Sequence, residues 1–231
     1  IVTYARQLDL PIQTHLQETR HELDDALAAT GATPLARLDR LGATGPSFVA
    51  IHAVHPGPGD VELLARQGCH VVHCPASNMK LASGAAPVAE YLDAGINVAL
   101  GTDSAASNNR LDLFAEMRLA SLLAKVTQGD AAALPAATVL RMATLGGARA
   151  VGLDDRIGSL VPGKGADVVK VEPPGIGDIG RWVGVAIGGV SAMAQIANRG
   201  KRSIAVNLRT DAGRDIVRQL AARADVFVQN F

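Results

Sequence analysis

His15 and Glu18, in His15-Leu16-Gln17-Glu18, are the first pair in the chain with the types and spacing to do chemistry. A neutral imidazole at a strand end binds a divalent metal. A carboxylate three residues on, at the entry to the next helix, moves protons to or from a substrate nitrogen. His52 follows in Ile51-His52-Ala53-Val54-His55, inside an apolar run where an unpartnered imidazole is costly to bury. His55 reads as a loop or rim residue. Asp103 comes third, in Gly101-Thr102-Asp103-Ser104 after another apolar run, and its carboxylate suits zinc or a similar ion. Each residue also has an ordinary use: a strand imidazole with a capping Glu, a core His bonded to backbone, an Asp closing a turn. The case for chemistry is their order, with HxxE, His and Asp on successive strands.

The elements that must carry these residues follow from the hydrophobic pattern. Apolar runs at 11–14, 47–54, 70–74 and 96–101 read as strands ending near His15, His52, His73 and Asp103. Helical patterns at 2–8, 18–29, 34–41, 61–67, 88–94, 111–126 and 136–151 lie around them. Gly31, Gly42 and Gly68 are the expected stops, and Asp60 is the expected N-cap of its helix. Short apolar strands alternating with helices imply parallel βα units. Four such units make half of a (β/α)8 TIM-type barrel, a fold that collects its active groups at the C-terminal ends of the strands. After residue 152 the texture changes. A turn-rich stretch at 157–164 precedes a strand at 166–172 and a Gly/Pro-rich tract at 173–189. A Rossmann-like βαβ pattern then runs through 203–208, 211–222 and 225–228. The expected class is therefore α/β, a partial barrel over residues 1–165 followed by a βαβ piece over 166–231. With no initiator Met and an opening inside a helix, the sequence reads as a fragment.

Composition narrows the function classes. Lys plus Arg and Asp plus Glu stand at 22 each, for a formal net charge of zero. No basic field exists to attract nucleic acid, so none is expected as a partner. No apolar window is long enough for a membrane span. Two cysteines, Cys69 and Cys74, form no disulfide framework, which suits a reducing cytosol and a cytoplasmic location. The open edges of a half barrel invite pairing with another copy of the chain.

Residues 12–165 resemble the amidohydrolase superfamily, in the branch holding 5′-methylthioadenosine/S-adenosylhomocysteine deaminases and chlorotriazine hydrolases. The strings that carry the resemblance are THLQETRHE, AIHAVH, VHCPASNMKLASG, ALGTDSAASNNRLDLFAEMRLASLL, MATLGGARAVGL and IGSLVPGKGADVV. It implies barrel strands five to eight, with Zn²⁺ (or Fe²⁺ or Mn²⁺) held by His15 and Asp103. It also implies Glu18 as the acid/base, and His52 and Asp103 as the residues that orient the attacking water. The implied substrate is a small molecule, an amino-substituted purine-type ring that loses ammonia. Glu18, Asn78 and Asn108 are the expected substrate contacts, with Ser77 and Ser107 beside them on the pocket rim. The family's HxH pair, which supplies two further metal ligands, occurs nowhere in these 231 residues. A catalytic zinc normally keeps three protein ligands, so weak metal binding and negligible turnover are expected of this chain by itself.

Residues 165–231 resemble the N-terminal part of family III CoA-transferases, through GADVVKVEPPG, GRWVG, IANRGKRSIAVNL and GRDIVRQLAARADVFVQNF. That resemblance implies CoA contacts at Lys201, Asn230 and Phe231, with the basic Lys201 and Arg202 suited to phosphate. The two patterns share the string at 165–169, where a join by recombination, by an assembly error or by a gene-prediction fusion is expected. A degenerate half barrel without catalysis is the remaining alternative.

Overall fold

The computed structural model describes residues 1–159, 161, 164, 168–175, 177, 186–187, 190–191 and 201–224. The chain divides into two compact units, Ile1–Ser159 and Leu160–Phe231.

The first unit is built on four parallel strands in the order β1 (Ile12–Leu16), β2 (Phe48–His52), β3 (His70–His73) and β4 (Asn97–Leu100). Strands β2, β3 and β4 carry apolar residues at their interior positions, which helices and connections cover; Phe48, Ala50, Val71 and Val98 are all at most 2% exposed. The register sets Leu16 opposite His52 and His73 opposite Leu100. The C-terminal ends of the strands therefore line up along one edge of the sheet, and the candidate residues lie along that edge.

Helix α1 (Val2–Gln7) precedes the sheet. β1 is followed by α2 (Arg20–Thr30) and α3 (Pro34–Arg40), and β2 by α4 (Asp60–Gln67). β3 is followed by α5 (Pro75–Lys80) and α6 (Val88–Asp93), and β4 by α7 (Ala105–Asn108), α8 (Leu113–Gln128) and α9 (Ala136–Arg141). Two local differences from expectation bear on the site. Helix α2 begins at Arg20 rather than at 18, because Thr19 is its N-cap. Thr19 Oγ1 accepts from Glu22 N–H, and Glu22 Oε2 accepts from Glu18 N–H, both at 3.3 Å. This N-terminal cap leaves Glu18 in the loop. Asp60 is not the cap of α4, whose N-cap is Gly59. Its carboxylate is buried instead and accepts from Thr33 Oγ1 at 2.6 Å, Gly57 N–H at 2.7 Å and Gln17 Nε2 at 2.8 Å.

The helix expected over 136–151 is interrupted. A π-helical segment, Met142–Gly146, separates α9 from α10 (Gly147–Ala150). Gly146 packs against β4 so closely that a Cβ there would lie 2.6 Å from the Val98 carbonyl oxygen, and Asn97 Nδ2 donates to the Gly146 carbonyl at 3.0 Å. The wider turn admits a backbone-to-backbone approach that a regular helix with side chains cannot make.

In the second unit β5 (Val169–Glu172) pairs in parallel with a strand at Arg202–Ala205. Two short strands between them, β6 (Ala186–Ile187) and β7 (Val190–Ser191), pair antiparallel, so the Arg202–Ala205 strand is β8. Helix α11 (Asp211–Ala221) follows, N-capped by Thr210. The strand and helix at 203–222 thus occur near their expected positions, while the strand expected at 225–228 lies outside the described residues. No helix among the described residues is long and apolar enough to cross a membrane.

Gly146→Ala forces apart α10 and β4, which underlies the Asp103 loop. The expected cost is about 1–3 kcal/mol, read as a lower urea midpoint with an unchanged slope. An unaltered midpoint would show that the segment has room to move.

Candidate active site

His15, Glu18, His52 and Asp103 come together at the strand ends. His52 is completely buried at the end of β2. Its Nδ1 is 2.8 Å from Asn78 Oδ1, and its Nε2 is buried without a hydrogen-bond partner. That nitrogen faces Glu18 Oε2 at 3.6 Å and Asp103 Oδ2 at 3.9 Å, both beyond hydrogen-bond distance. The His15 ring meets the His52 ring edge-on, with centroids 5.0 Å apart. Ligand atoms of His15, Glu18 and His52 all lie within 4.8 Å of one another. A buried polar atom with no partner costs about 1–3 kcal/mol. Its position beside a second imidazole and two carboxylates leaves room for a cation or a polar ligand atom among them. This mixed N and O donor set fits zinc or a similar divalent ion.

The strand ends are conformationally constrained. Gln17, His52, Ala53 and Asp103 all have φ between 43° and 72°. Each non-glycine residue held there costs on the order of 1–3 kcal/mol, and such strain gathers where a site must be shaped. Tyr91, fully buried on α6, donates its hydroxyl to the Ala53 carbonyl at 2.5 Å and helps hold this turn.

Asp103 is held by two serines. Ser77 Oγ and Ser107 Oγ both donate to Oδ2, each at 2.6 Å. Burial pushes this carboxyl up. The hydrogen bonds from Ser107 and Ser77, another from the Ser104 backbone, and the neighbouring His52 outweigh that effect and bring it down to about 2. Glu18 Oε1 accepts from Ser83 Oγ at 3.1 Å, so Glu18 too is steered from the loop after β3. His73, buried at the end of β3 with Nδ1 unpartnered, is pushed down to about 4 by burial and by His52. It is a neutral imidazole at ordinary pH.

The expected rim residues sit differently from one another. Asn78 is fully buried and is bonded to His52, not displayed on a rim. Asn108 is half-buried, and its amide nitrogen donates to the Thr102 carbonyl at 2.6 Å and to Glu116 Oε1 at 2.8 Å. Ser77 and Ser107 act on Asp103. His55 is tied to the Ser83 carbonyl at 2.6 Å through Nε2. Sequence reasoning missed Ser83, Asp60 and Glu116. Glu116 carried a readable signal, since it stands four and eight residues before Ala120 and Ala124 on the buried face of α8. Lys201 is exposed directly before β8, and Asn230 and Phe231 lie outside the described residues.

Residues 1–205 match the amidohydrolase family, so the match runs past the join expected at 165–169. The chain is 51% identical over 169 residues to a 5-methylthioadenosine/S-adenosylhomocysteine deaminase of Desulforudis audaxviator, covering 73% of this chain and 39% of that protein. It is 51% identical over 165 residues to a 5'-deoxyadenosine deaminase of Methanothermobacter thermautotrophicus, covering 71% of this chain and 38% of that one. Among solved structures, an adenosine deaminase of Xanthomonas campestris with bound zinc superposes with a TM-score of 0.70 at 40% identity, over 96% of this chain and 52% of that one. The chain thus spans about two fifths of the length of the two sequence relatives.

Removing both serine donors, as Ser77→Ala with Ser107→Ala, should raise the Asp103 pKa from about 2 toward the ordinary carboxylate value of 3.8. Because the folded pKa lies below the unfolded one, the ionised carboxylate stabilises the fold above the ordinary value, and that contribution is lost as pH falls toward 2. The double variant should lack most of that contribution, so it is less stable than the parent above the ordinary value, and its stability changes less than the parent's as pH falls from 3.8 toward 2. Carboxyl ¹³C shifts followed by pH titration measure this, and an unmoved Asp103 titration would contradict it.

Proposed function

This chain belongs to the amidohydrolase family, and on that footing we propose that it carries part of the reaction centre of a hydrolytic deaminase acting on an amino-substituted purine-type ring. In this reading the first unit supplies strands five to eight of a (β/α)8 barrel. The observation that carries it is the buried, unpartnered His52 Nε2 facing Glu18 and Asp103 with His15 alongside. The substrate class comes from the relatives, which are named as deaminases of methylthioadenosine, S-adenosylhomocysteine and 5'-deoxyadenosine.

His15 and Asp103 would hold the metal, with His52 and Glu18 adjacent. A divalent ion held there, zinc first and Fe²⁺ or Mn²⁺ as alternatives, would supply the acidity that lets water react near neutral pH. His52 Nε2 orients the attacking water. Asp103 has Oδ2 fixed by two serines, which leaves Oδ1 to take the water's proton. Glu18 is open enough to reach a ligand, with its side chain 18% exposed, and it donates a proton to the ring nitrogen beside the amino-bearing carbon. Asp103 returns the proton it took to the amino nitrogen as the C–N bond breaks and ammonia leaves, and Glu18 recovers a proton from the new hydroxyl as it becomes the carbonyl. Ser83 holds Glu18, and Asn78 holds His52.

Zinc titration of the 231-residue chain against a chromophoric chelator tests the ligand set. Weak binding is expected, falling roughly tenfold or more in His15→Ala and in Asp103→Ala, with negligible turnover of methylthioadenosine because the chain contains no His-x-His pair. Zinc affinity indifferent to both substitutions would overturn the ligand assignment. Tight stoichiometric zinc with turnover would overturn the expected inactivity.

For residues 166–231 the CoA-transferase reading rests on the strings quoted above, with the exposed Lys201 as the basic contact for a CoA phosphate. Calorimetric titration with CoA should show binding that Lys201→Ala weakens. Absence of binding to the chain removes this reading.

A further inference from the structure

Glu116 is 1% exposed on α8, yet its two hydrogen-bond partners are uncharged. Oε2 accepts from the Ala76 backbone N–H at 3.0 Å, and Oε1 from Asn108 Nδ2 at 2.8 Å. A buried carboxylate supported only by neutral donors is an expensive way to pack a helix, and an apolar side chain in its place would relieve that cost. Its neighbours give it a use. Ala76 belongs to the first turn of α5, where its N–H has no partner within the helix. The next two residues are Ser77, which bonds Asp103, and Asn78, which bonds His52. Asn108 follows Ser107, the other serine on Asp103, and also grips the Thr102 carbonyl directly before Asp103. One carboxylate thus holds residues adjacent to three groups that touch Asp103 or His52, and it bridges the loops after β3 and β4.

We propose that Glu116 is a positioning residue that fixes the Asp103 carboxylate by clamping together the segments after β3 and β4, whose short helices α5 and α7 carry the two serines that hold it. The proposal rests on the reading of Asp103 as part of the reaction centre. Glutamine has the same shape but one acceptor oxygen, so it leaves either Ala76 N–H or the Asn108 amide facing another donor. The loops then separate, and the two serines hold Asp103 less firmly. Asp60 is the internal comparison. It is equally buried and ties together the loops after β1 and β2, and none of its partners touches Asp103.

The test is a double-mutant cycle by urea denaturation of the full chain, pairing Glu116→Gln with the double change Ser77→Ala/Ser107→Ala. Groups sharing one network are non-additive, whereas distant ones add. The combined midpoint shift should fall short of the sum of the separate shifts. The same cycle with Asp60→Asn should be additive. Full additivity for Glu116 would overturn the proposal and leave that residue a plain fold staple. Should Glu116→Gln not fold, Asn108→Ser removes one arm of the clamp and enters the same cycle with the same two outcomes. Cobalt(II) affinity supplies a second readout. Glu116→Gln should weaken it roughly tenfold in the parent chain and have no effect once Asp103→Asn is present; equal weakening in both backgrounds would count against the proposal. A parent chain that takes up no cobalt refutes the metal reading of the site, and the denaturation cycle still decides the role of Glu116.

Discussion

A fully buried imidazole needs a partner for each ring nitrogen, because no water can substitute for one. His52 has a protein partner at Nδ1 only. The second nitrogen emerges between two carboxylates that stand too far off to bond it and too near to be indifferent to it. Much of the surrounding structure follows from keeping that nitrogen where it is. The tight parallel register brings β1 alongside β2, so that His15 meets the His52 ring. Positive φ at His52 and Ala53 turns the chain away immediately afterward, and Tyr91 pins the turn through the Ala53 carbonyl.

The two carboxylates that face His52 are kept in place by serine hydroxyls from the segments after β3 and β4, and not by lysine or arginine. Neutral donors fix geometry while leaving the negative charge available, which suits a group that must meet a cation or take a proton. Behind this layer lie two further carboxylates, Asp60 and Glu116, each buried on neutral donors and each joining one pair of adjacent loops. The rigid sheet therefore delivers the residues to one edge, and buried anions set the loops that orient them.

The amidohydrolase match extends across residues 1–205 and so enters the second compact unit, which begins at Leu160. Within that unit β5 and β8 form a parallel pair, and Ser203 bonds the Glu172 carboxylate across it. That pairing joins segments separated by the Gly/Pro-rich tract. Local patterning gave no indication of it, since it depends on which distant strand a short apolar segment finds.

Local patterning did determine a good deal. Apolar strands too short to be helices, separated by helical periodicity and stopped by Gly31 and Gly68, give parallel βα units. The occurrence of His15, Glu18, His52 and Asp103 at successive strand ends made their convergence readable, because parallel strands present their ends on one edge. The start of α2 differs because Thr19 caps it by accepting from the Glu22 N–H, while Glu18 stays before the cap with its N–H bonded to the Glu22 carboxylate. Asp60 read as a cap because Asp favours that position, while its actual partners, Gln17 and Thr33, are far away in sequence. Asn78 read as rim because a polar residue after a strand usually faces solvent, and only the packing of α5 against the site buries it on His52. The π segment needed the contact of Gly146 with Val98. Sequence decides residue type and period, which are local. Burial of a polar group, the partner it finds and the strain it tolerates depend on residues brought from other strands, and only the tertiary structure decides those.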